Sequence, residues 1–152
     1  IYGGRQFTSI DQGWVGWFIK QAIIQKNAIK NNSSIDPFTI SGSGKQVRDL
    51  LHADDLVELY LKAYENRRSL KGEVFNIGGG LENSMSLLEL FTFLENYMEI
   101  DLLKYKHLER RQSDQDFFVA NIDKIKNYIG WEPKVNKEFG LEKMINWSYE
   151  MF

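Results

Sequence analysis

Arginine beside glycine and aspartate marks the first place where this sequence could bind a charged ligand. Arg48 and Asp49 close the stretch 42–49, in which a Gly-Ser-Gly turn leads into a predicted strand. A guanidinium can make two charge-assisted hydrogen bonds to a phosphate, and glycine lets a ligand approach the backbone. The stretch predicts either a phosphate ligand at Arg48 or a hairpin turn with a surface Arg48–Asp49 pair. Taken alone, this short pattern favours the hairpin.

Two neighbouring arginines in a polar loop offer a second candidate anion site. Arg110 and Arg111 lie just before Asp114 in the sequence. Together they could clamp a pyrophosphate, because each carries a permanent positive charge. Asp114 could accept a hydrogen bond from a ribose hydroxyl, or could simply begin a turn. Adjacent arginines in loops are more often only solvated, and the loop alone favours that interpretation.

The other patterns that could carry chemistry give no catalytic site. Gly78 to Gly80 do not continue as Gly-x-Gly-x-x-Gly, because position 83 is Asn83, so we expect a tight strand-to-helix connection there and not a phosphate loop. His52 and His107 are isolated, and we expect no metal site. No tyrosine is followed four residues later by a lysine, and no Gly-x-Ser-x-Gly nucleophile turn occurs.

Composition narrows the classes of partner. The 152 residues are 43% hydrophobic and 26% charged, which is typical of a globular domain or a piece of one. A net charge of -2 without a basic stripe argues against a nucleic-acid partner. The absence of cysteine excludes disulfides and thiolate zinc sites. No apolar run approaches the roughly 18 residues of a membrane span, so we expect no membrane partner. The chain opens on Ile-Tyr-Gly-Gly, without Met or a signal-peptide pattern, which indicates the middle of a longer protein.

Hydrophobic periodicity predicts helices alternating with strands, which is an α/β architecture. Apolar residues at helical spacing predict a helix from Trp14 to about Lys26, and Ser86 with Glu89 predicts a capping box. Strands are predicted at 38–40, 47–52, 73–77 and 102–108, and further helices at 86–99, 122–130 and from 139 onward. The predicted core face of the first helix is Val15, Phe18, Ile19, Ala22 and Ile23.

A helix capped by Asp54 and ending near Glu65 is also predicted. Its predicted core face is Val57, Tyr60, Leu61 and Tyr64.

Five loose motifs occur in an order that resembles the C-terminal half of the extended short-chain dehydrogenases, the NAD-dependent nucleotide-sugar epimerases and dehydratases. In this family the loop at 2–6 has Pro in place of Gly4, and the segment at 111–114 has Gly in place of Ser113. The motifs are Tyr-Gly-Gly-Arg-Gln at 2–6, the stretch 42–55, Phe-Asn-Ile-Gly at 75–78, Arg-Gln-Ser-Asp at 111–114 and Gly-Trp-Glu-Pro at 130–133. Within the family, the stretches 3–7 and 11–18 resemble the CDP-paratose (CDP-tyvelose) 2-epimerases.

This resemblance implies a fold and a set of binding residues. The fold would be the C-terminal part of an extended short-chain dehydrogenase (Rossmann-type) fold, the substrate-binding subdomain, with the N-terminal cofactor-binding part absent. Arg48 and Arg111 would hold the two phosphates of a nucleotide sugar, and Asp114 would bond its ribose. Other implied contacts are the backbone of Phe38, Thr39, Ile40 and Ser41 for the base, Arg5, Gln6 and Gln12 near the sugar and pyrophosphate, and Tyr2 and Gly3 for the cofactor, NAD.

The resemblance also implies a reaction for the full-length protein. NAD would take a hydride from the sugar carbinol, C2 in the 2-epimerases, and return it to the other face of the ketone. The substrate would be a nucleotide-diphosphate sugar, most specifically a CDP-sugar, and the enzyme a cytoplasmic homodimer of polysaccharide biosynthesis. The family's Tyr-x-x-x-Lys pair and glycine motif are missing here, so we expect the 152 residues alone to be inactive.

Two alternatives remain open at this point. One is a related nucleotide-sugar 4-epimerase or 4,6-dehydratase, and the other is a non-catalytic fragment that binds sugar nucleotides. If the N-terminal part of the fold docks on this chain, Val74, Phe75 and Ile77 should be more exposed than their residue types suggest.

Overall fold

Helices and short strands alternate along the chain in the computed structural model, which describes residues 1–9 and 12–152. The predicted α/β class is therefore confirmed. The elements are α1 (Trp14–Lys30), β1 (Phe38–Ser41), β2 (Val47–Asp49), α2 (Ala53–Glu65), a single 3-10 turn at Leu81–Asn83, β3 (Ser84–Ser86), α3 (Leu87–Met98), β4 (Tyr105–Leu108), β5 (Phe117–Phe118), α4 (Asp123–Ile129) and α5 (Lys137–Met151).

Two small sheets hold the strands. In the first, β1 and β4 run parallel, with Phe38 opposite Tyr105 and Ser41 opposite Leu108. In the second, β2 lies between β3, which is antiparallel to it, and β5, which is parallel. The ends of β1 and β2 therefore come from different sheets and face a common region of the molecule, where the candidate site lies.

The main core lies between α1, α3 and α5. The five apolar residues predicted for the buried face of α1 are all buried. Four aromatic rings join α1 and α3 to the first sheet, with centroids 5.0–5.8 Å apart: Phe18, Phe38, Phe91 and Tyr105. The predicted capping box is present at the start of α3, where Ser86 and Glu89 bond each other's backbone N–H groups. Within the described residues, no helix has both the length and the apolar character needed to cross a membrane.

Helix α2 turns a different face to the core than its sequence predicts. Its cap is His52, whose Nδ1 accepts a hydrogen bond from the Asp54 N–H at 3.2 Å, and not Asp54 itself. The predicted core face is wrong, since each of its four side chains is at least 57% exposed. Leu59 is buried in their place. The physical reason is Asp55, which is buried on the same side as Leu59 and fixes the rotation of the helix. The exposed residues, called the α2 apolar face below, are Val57, Tyr60, Leu61 and Tyr64.

Asp55 and Asp49 are acceptors that join distant segments. The Asp55 carboxylate accepts from the backbone N–H groups of Lys134 and Val135 at 3.0 and 3.1 Å. The indole of buried Trp131 donates to the Asp55 carbonyl at 3.2 Å. In the same way, Asp49 Oδ2 accepts from the N–H groups of Gly80 and Ala120. The motifs at 42–55 and 130–133 are thus one structural unit.

The predicted strand at 73–77 does not form. Residues 73–77 have no strand partner in the part of the chain that the structure describes. Val74 is 80% exposed and Ile77 is 36% exposed, which confirms the expected exposure of these two side chains. Phe75 does not show it, since it is half-buried with its ring centroid 5.2 Å from that of Tyr128. An extended segment of apolar residues cannot complete a ladder by itself, because its N–H and C=O groups need a neighbouring strand. The glycines that follow were predicted to connect a strand to a helix, but they lead from this extended segment into the 3-10 turn and β3. The close packing of the backbone here is real, since a Cβ at Gly79 would lie 2.0 Å from the Leu50 carbonyl oxygen.

Candidate functional site

A cleft of about 330 Å³ opens between the first turn of α1, the end of β1, strand β2 and the loop after β4. Five separate stretches of sequence meet here, because Leu87 at the start of α3 also lines the cleft. The lining residues are Gln12, Gly13, Trp14, Trp17, Phe18, Thr39, Ile40, Ser41, Gln46, Arg48, Leu87, Leu108, Arg111 and Asp114.

Most of the predicted substrate residues lie in this one cleft. Arg48 and Arg111 both line it, although 63 residues separate them (111 minus 48). The other predicted residues that line it are Asp114, Gln12, Thr39, Ile40 and Ser41. The convergence of the two arginines on one cleft, which the sequence predicted, is present in the structure. Their roles toward a ligand remain predictions.

Arg48 is held on the cleft floor by acceptors of this chain. Its Nη1 donates to the Val47 carbonyl at 2.7 Å, and its Nη2 donates to Asp114 Oδ1 at 2.6 Å. The Asp114 carboxylate also accepts from Gln46 Nε2 at 2.9 Å. The ion pair is partly shielded, with side-chain exposures of 26% and 24% for Arg48 and Asp114. The surface Arg48–Asp49 pair is not formed, since Asp49 accepts from two backbone N–H groups instead.

Arg111 and Arg110 differ in their surroundings. Arg111 is exposed at the rim of the cleft, with no carboxylate within 4.0 Å among the residues described. Arg110 was expected to be only solvated, and that expectation is wrong. It pairs with Asp116 at 2.9 Å and donates to the Asp114 carbonyl at 2.5 Å. Arg110 therefore shapes the loop, while Arg111 pairs with no carboxylate of residues 1–9 and 12–152.

Three predicted substrate residues lie outside the cleft lining. Phe38 is buried in the aromatic core, so only its backbone could be near a ligand. Arg5 is exposed and has φ 68°, a left-handed conformation that few non-glycine residues adopt. Gln6 donates to the Ile1 carbonyl at 3.3 Å, and its amide packs close to Gly13, which does line the cleft. The stretch 11–18 begins at Asp11, which falls outside the described residues.

An apolar wall faces the charged floor. Trp14, Trp17 and Phe18 lie on the first turns of α1, and Leu87 and Leu108 complete the wall from α3 and β4. From the sequence, Phe18 was predicted on the buried face of α1, and none of these five residues was named as a site residue. An apolar wall beside two arginines suits a ligand with one flat or apolar part and one anionic part.

The N-terminus of α1 also borders the cleft. Gly13 precedes the helix at φ 73° and offers no side-chain cap. The first N–H groups of a helix carry partial positive charge, which favours an anion nearby. The charged side chains of the lining are Arg48, Arg111 and Asp114, so the N-terminus of α1 adds its partial positive charge to an excess of one cationic side chain.

The residues predicted to meet the cofactor are part of the protein interior. Tyr2 is buried, its hydroxyl donates to the Lys137 carbonyl at 3.4 Å, and burial raises the pKa of this phenol. A Cβ at Gly3 would lie 3.1 Å from the Ala53 Cβ. His52 is also buried, and burial lowers its pKa, because the imidazolium loses solvation there. Contact of Tyr2 and Gly3 with NAD remains a prediction.

Comparison with known proteins gives three close likenesses. The sequence profile described as the NAD dependent epimerase/dehydratase family matches residues 1–78. The CDP-paratose 2-epimerase of Salmonella typhi is 53% identical over 148 residues, which are 97% of this chain and 42% of that protein. The UDP-glucose 4-epimerase of Thermotoga maritima, solved with UDP-glucose, superposes with a TM-score of 0.78 at 27% identity, over 99% of this chain and 43% of that one.

A further solved structure gives the same fold. The UDP-glucuronic acid 4-epimerase of Bacillus cereus, in complex with UDP-glucuronic acid and NAD, has a TM-score of 0.77 at 24% identity, over 99% of this chain and 43% of that one. The predicted fold, the C-terminal part of an extended short-chain dehydrogenase, is confirmed by these likenesses. The chain spans less than half the length of the proteins it matches.

Proposed function

Because this chain belongs to the NAD-dependent epimerase/dehydratase family, we propose that it forms the substrate-binding part of a nucleotide-sugar epimerase. The likeness to CDP-paratose 2-epimerase favours inversion at C2 of a CDP-linked sugar. The observation that carries the proposal is the meeting of Arg48, Arg111 and Asp114 in one cleft. CDP-sugar specificity, a homodimer and a cytoplasmic place in polysaccharide biosynthesis belong to the same proposal, on the strength of the resemblance.

The charged floor of the cleft suits a diphosphate. A nucleotide diphosphate in a sugar linkage carries two negative charges, and Arg48 and Arg111 supply two permanent positive charges. Arg48 uses two of its five N–H groups on Val47 and Asp114, which leaves others for phosphate oxygens. Asp114 is an acceptor at the same floor, as a ribose hydroxyl requires.

The apolar wall suits the two ends of such a ligand. Trp14, Trp17 and Phe18 offer ring faces on which a base or the apolar face of a sugar can lie. Thr39 to Ser41 present backbone beside the cleft, and the backbone can hydrogen-bond to the edge of a base. In this proposal the chain binds and orients the nucleotide sugar and keeps water from its apolar side.

The chemical step belongs to parts of the full-length protein outside these 152 residues. NAD, when bound, supplies the transient oxidation of the sugar carbinol. Tyr2 does not act as the base in this proposal, because its hydroxyl is buried and its pKa is raised. We also propose that the rest of the protein covers the α2 apolar face and the segment 73–77, where Val74 and Ile77 are exposed.

The test is turnover and binding by the complete polypeptide that carries this chain. With NAD present, CDP-paratose should be converted to its C2 epimer, which proton NMR detects through the sugar coupling constants. UDP-glucose should remain unchanged. Inversion of UDP-glucose at C4 would identify the alternative 4-epimerase, and failure to bind any nucleoside diphosphate in calorimetry would refute the proposal.

A further inference from the structure

One side chain at the cleft floor has no assigned role, although it contacts two of the elements that build the cleft. Gln46 Nε2 donates to the Ser41 carbonyl at 2.9 Å and to Asp114 Oδ2 at 2.9 Å. Both partners are acceptors, so the nitrogen of the amide, and not its oxygen, must face them. An amide nitrogen has two protons, and both are used here.

Hydrogen bonds connect Gln46 to Arg48 through the carboxylate of Asp114. Asp114 Oδ2 accepts from Gln46, and Asp114 Oδ1 accepts from Arg48. With one donor on each oxygen, the plane of the carboxylate is fixed from both sides. The position of Asp114 in turn determines where the Arg48 guanidinium can lie, because their contact is short, at 2.6 Å.

The anchor of this chain of bonds is rigid. Ser41 is the last residue of β1, and it pairs with Leu108 in the parallel ladder with β4. Gln46 therefore ties the loop that carries Asp114 to the end of a paired strand. Arg110 also bonds within that loop, but its partners, Asp116 and the Asp114 carbonyl, lie in the same loop and give no link to β1.

The carbonyl end of the Gln46 side chain does not face the open cleft. Gln46 Oε1 is shielded from solvent and has no hydrogen-bond partner among the described residues. A ligand in the cleft therefore meets the groups that Gln46 holds, and not the amide oxygen itself. An indirect role follows, through Asp114.

We propose that Gln46 is a positioning residue, which holds Asp114 and through it Arg48 in the geometry that binds a nucleoside diphosphate. This inference rests on the proposed function of the cleft. It predicts that loss of the amide lowers affinity because Asp114 and Arg48 are no longer held in place.

The test measures CDP binding by calorimetry in the complete polypeptide, for Gln46→Leu and for the nearly isosteric Gln46→Glu. Gln46→Leu removes both donors, and Gln46→Glu replaces them with acceptors beside Asp114. Each should raise the dissociation constant for CDP by about tenfold, the effect of one hydrogen bond to a charged group. The matched control is Gln112→Leu, which removes an exposed amide from the same loop and should change the constant less than about twofold.

A double-mutant cycle separates positioning from direct contact. In an Asp114→Ala background, Gln46→Leu should have no further effect on CDP affinity, because the residue through which it acts is gone. Effects that multiply would overturn the inference, as would wild-type affinity in both Gln46 variants. If Gln46→Leu does not fold, the CDP affinity of Gln46→Glu tests the inference instead. If the unaltered protein binds no CDP, the proposed function itself fails, and this inference falls with it.

Discussion

Replacing Arg48 by alanine is the most direct perturbation of the cleft floor. The change removes the guanidinium that bonds Val47 and Asp114 and leaves the cleft with Arg111 as its remaining lining arginine. We expect the change to weaken CDP binding and to lower the free energy of unfolding by less than it lowers the free energy of binding. Arg111→Ala should weaken CDP binding with no stability loss, because Arg111 is exposed and its guanidinium has no carboxylate partner in the described part of the chain.

The size of the effect follows from burial. A hydrogen bond to a charged group contributes about 1.5–3 kcal/mol, which corresponds to about a tenfold to hundredfold change in affinity. Arg48 is 26% exposed, so its contact with phosphate is partly shielded from water and salt. Arg48→Ala should therefore weaken CDP binding by an amount near the upper end of this range. Arg111 is exposed, and its loss should lie near the lower end. The lost pair with Asp114 should reduce the free energy of unfolding by about 1 kcal/mol.

Calorimetry with CDP at two salt concentrations measures the affinities, and urea denaturation measures stability. Arg68→Ala is the matched control, since Arg68 is an exposed arginine outside the cleft. Arg110 is unsuitable as a control, because it pairs with Asp116 and bonds the Asp114 carbonyl. If Arg48→Ala and Arg68→Ala bind CDP equally well, the assignment of phosphate to Arg48 is wrong, and the proposed function loses its main support.

Three further predictions concern stability and activity. Asp55→Ala should lower the free energy of unfolding, measured by urea denaturation, by about 2 kcal/mol or more, because it leaves the Lys134 and Val135 N–H groups unpaired. The control is Asp54→Ala, which removes an exposed carboxylate and should cost less than about 1 kcal/mol. Equal costs for the two variants would refute this role of Asp55. Burial lowers the pKa of His52, so the unfolded chain binds its proton more readily, and stability should fall as pH drops below the ordinary value of 6.5. That loss should be smaller in His52→Gln, and an unchanged pH profile would contradict the argument. The 152-residue chain alone should turn over no nucleotide sugar with NAD in an NMR assay, and any turnover would place catalytic groups within it.

The sequence predicted correctly those helix features that depend on residues close together in the chain. The apolar face of α1 and the capping box of Ser86 and Glu89 depend on residues three and four apart, and both are present. The family resemblance brought Arg48 and Arg111 together, which neither loop alone indicated. For Arg110 the local expectation was wrong, because a nearby carboxylate, Asp116, became its partner.

Contacts distant in sequence explain what the sequence did not predict. The side of α2 that faces the core depends on Asp55 reaching Lys134 and Val135, about eighty residues away. The apolar side chains of that helix allow either rotation when they are considered alone. Gln46 lies inside the stretch 42–49 that carries the family resemblance, but its contact with Asp114 spans 68 residues, and no role was assigned to it from the sequence. The segment 73–77 has the composition of a buried strand and has no partner within the described residues.

The buried glutamine of α1 has a consequence for how a ligand enters. Gln25 donates to the carbonyls of Asp36 and Lys104 at 3.3 and 2.7 Å, and its own carbonyl accepts from the Lys104 N–H at 2.8 Å. Helix α1 is thereby fixed to the chain just before β1 and β4, and shifting it would break three shielded hydrogen bonds at once. The wall that carries Trp14 and Trp17 is therefore the static side of the cleft. A ligand that binds against Trp14 and Trp17 therefore meets a surface already in place and does not have to displace helix α1.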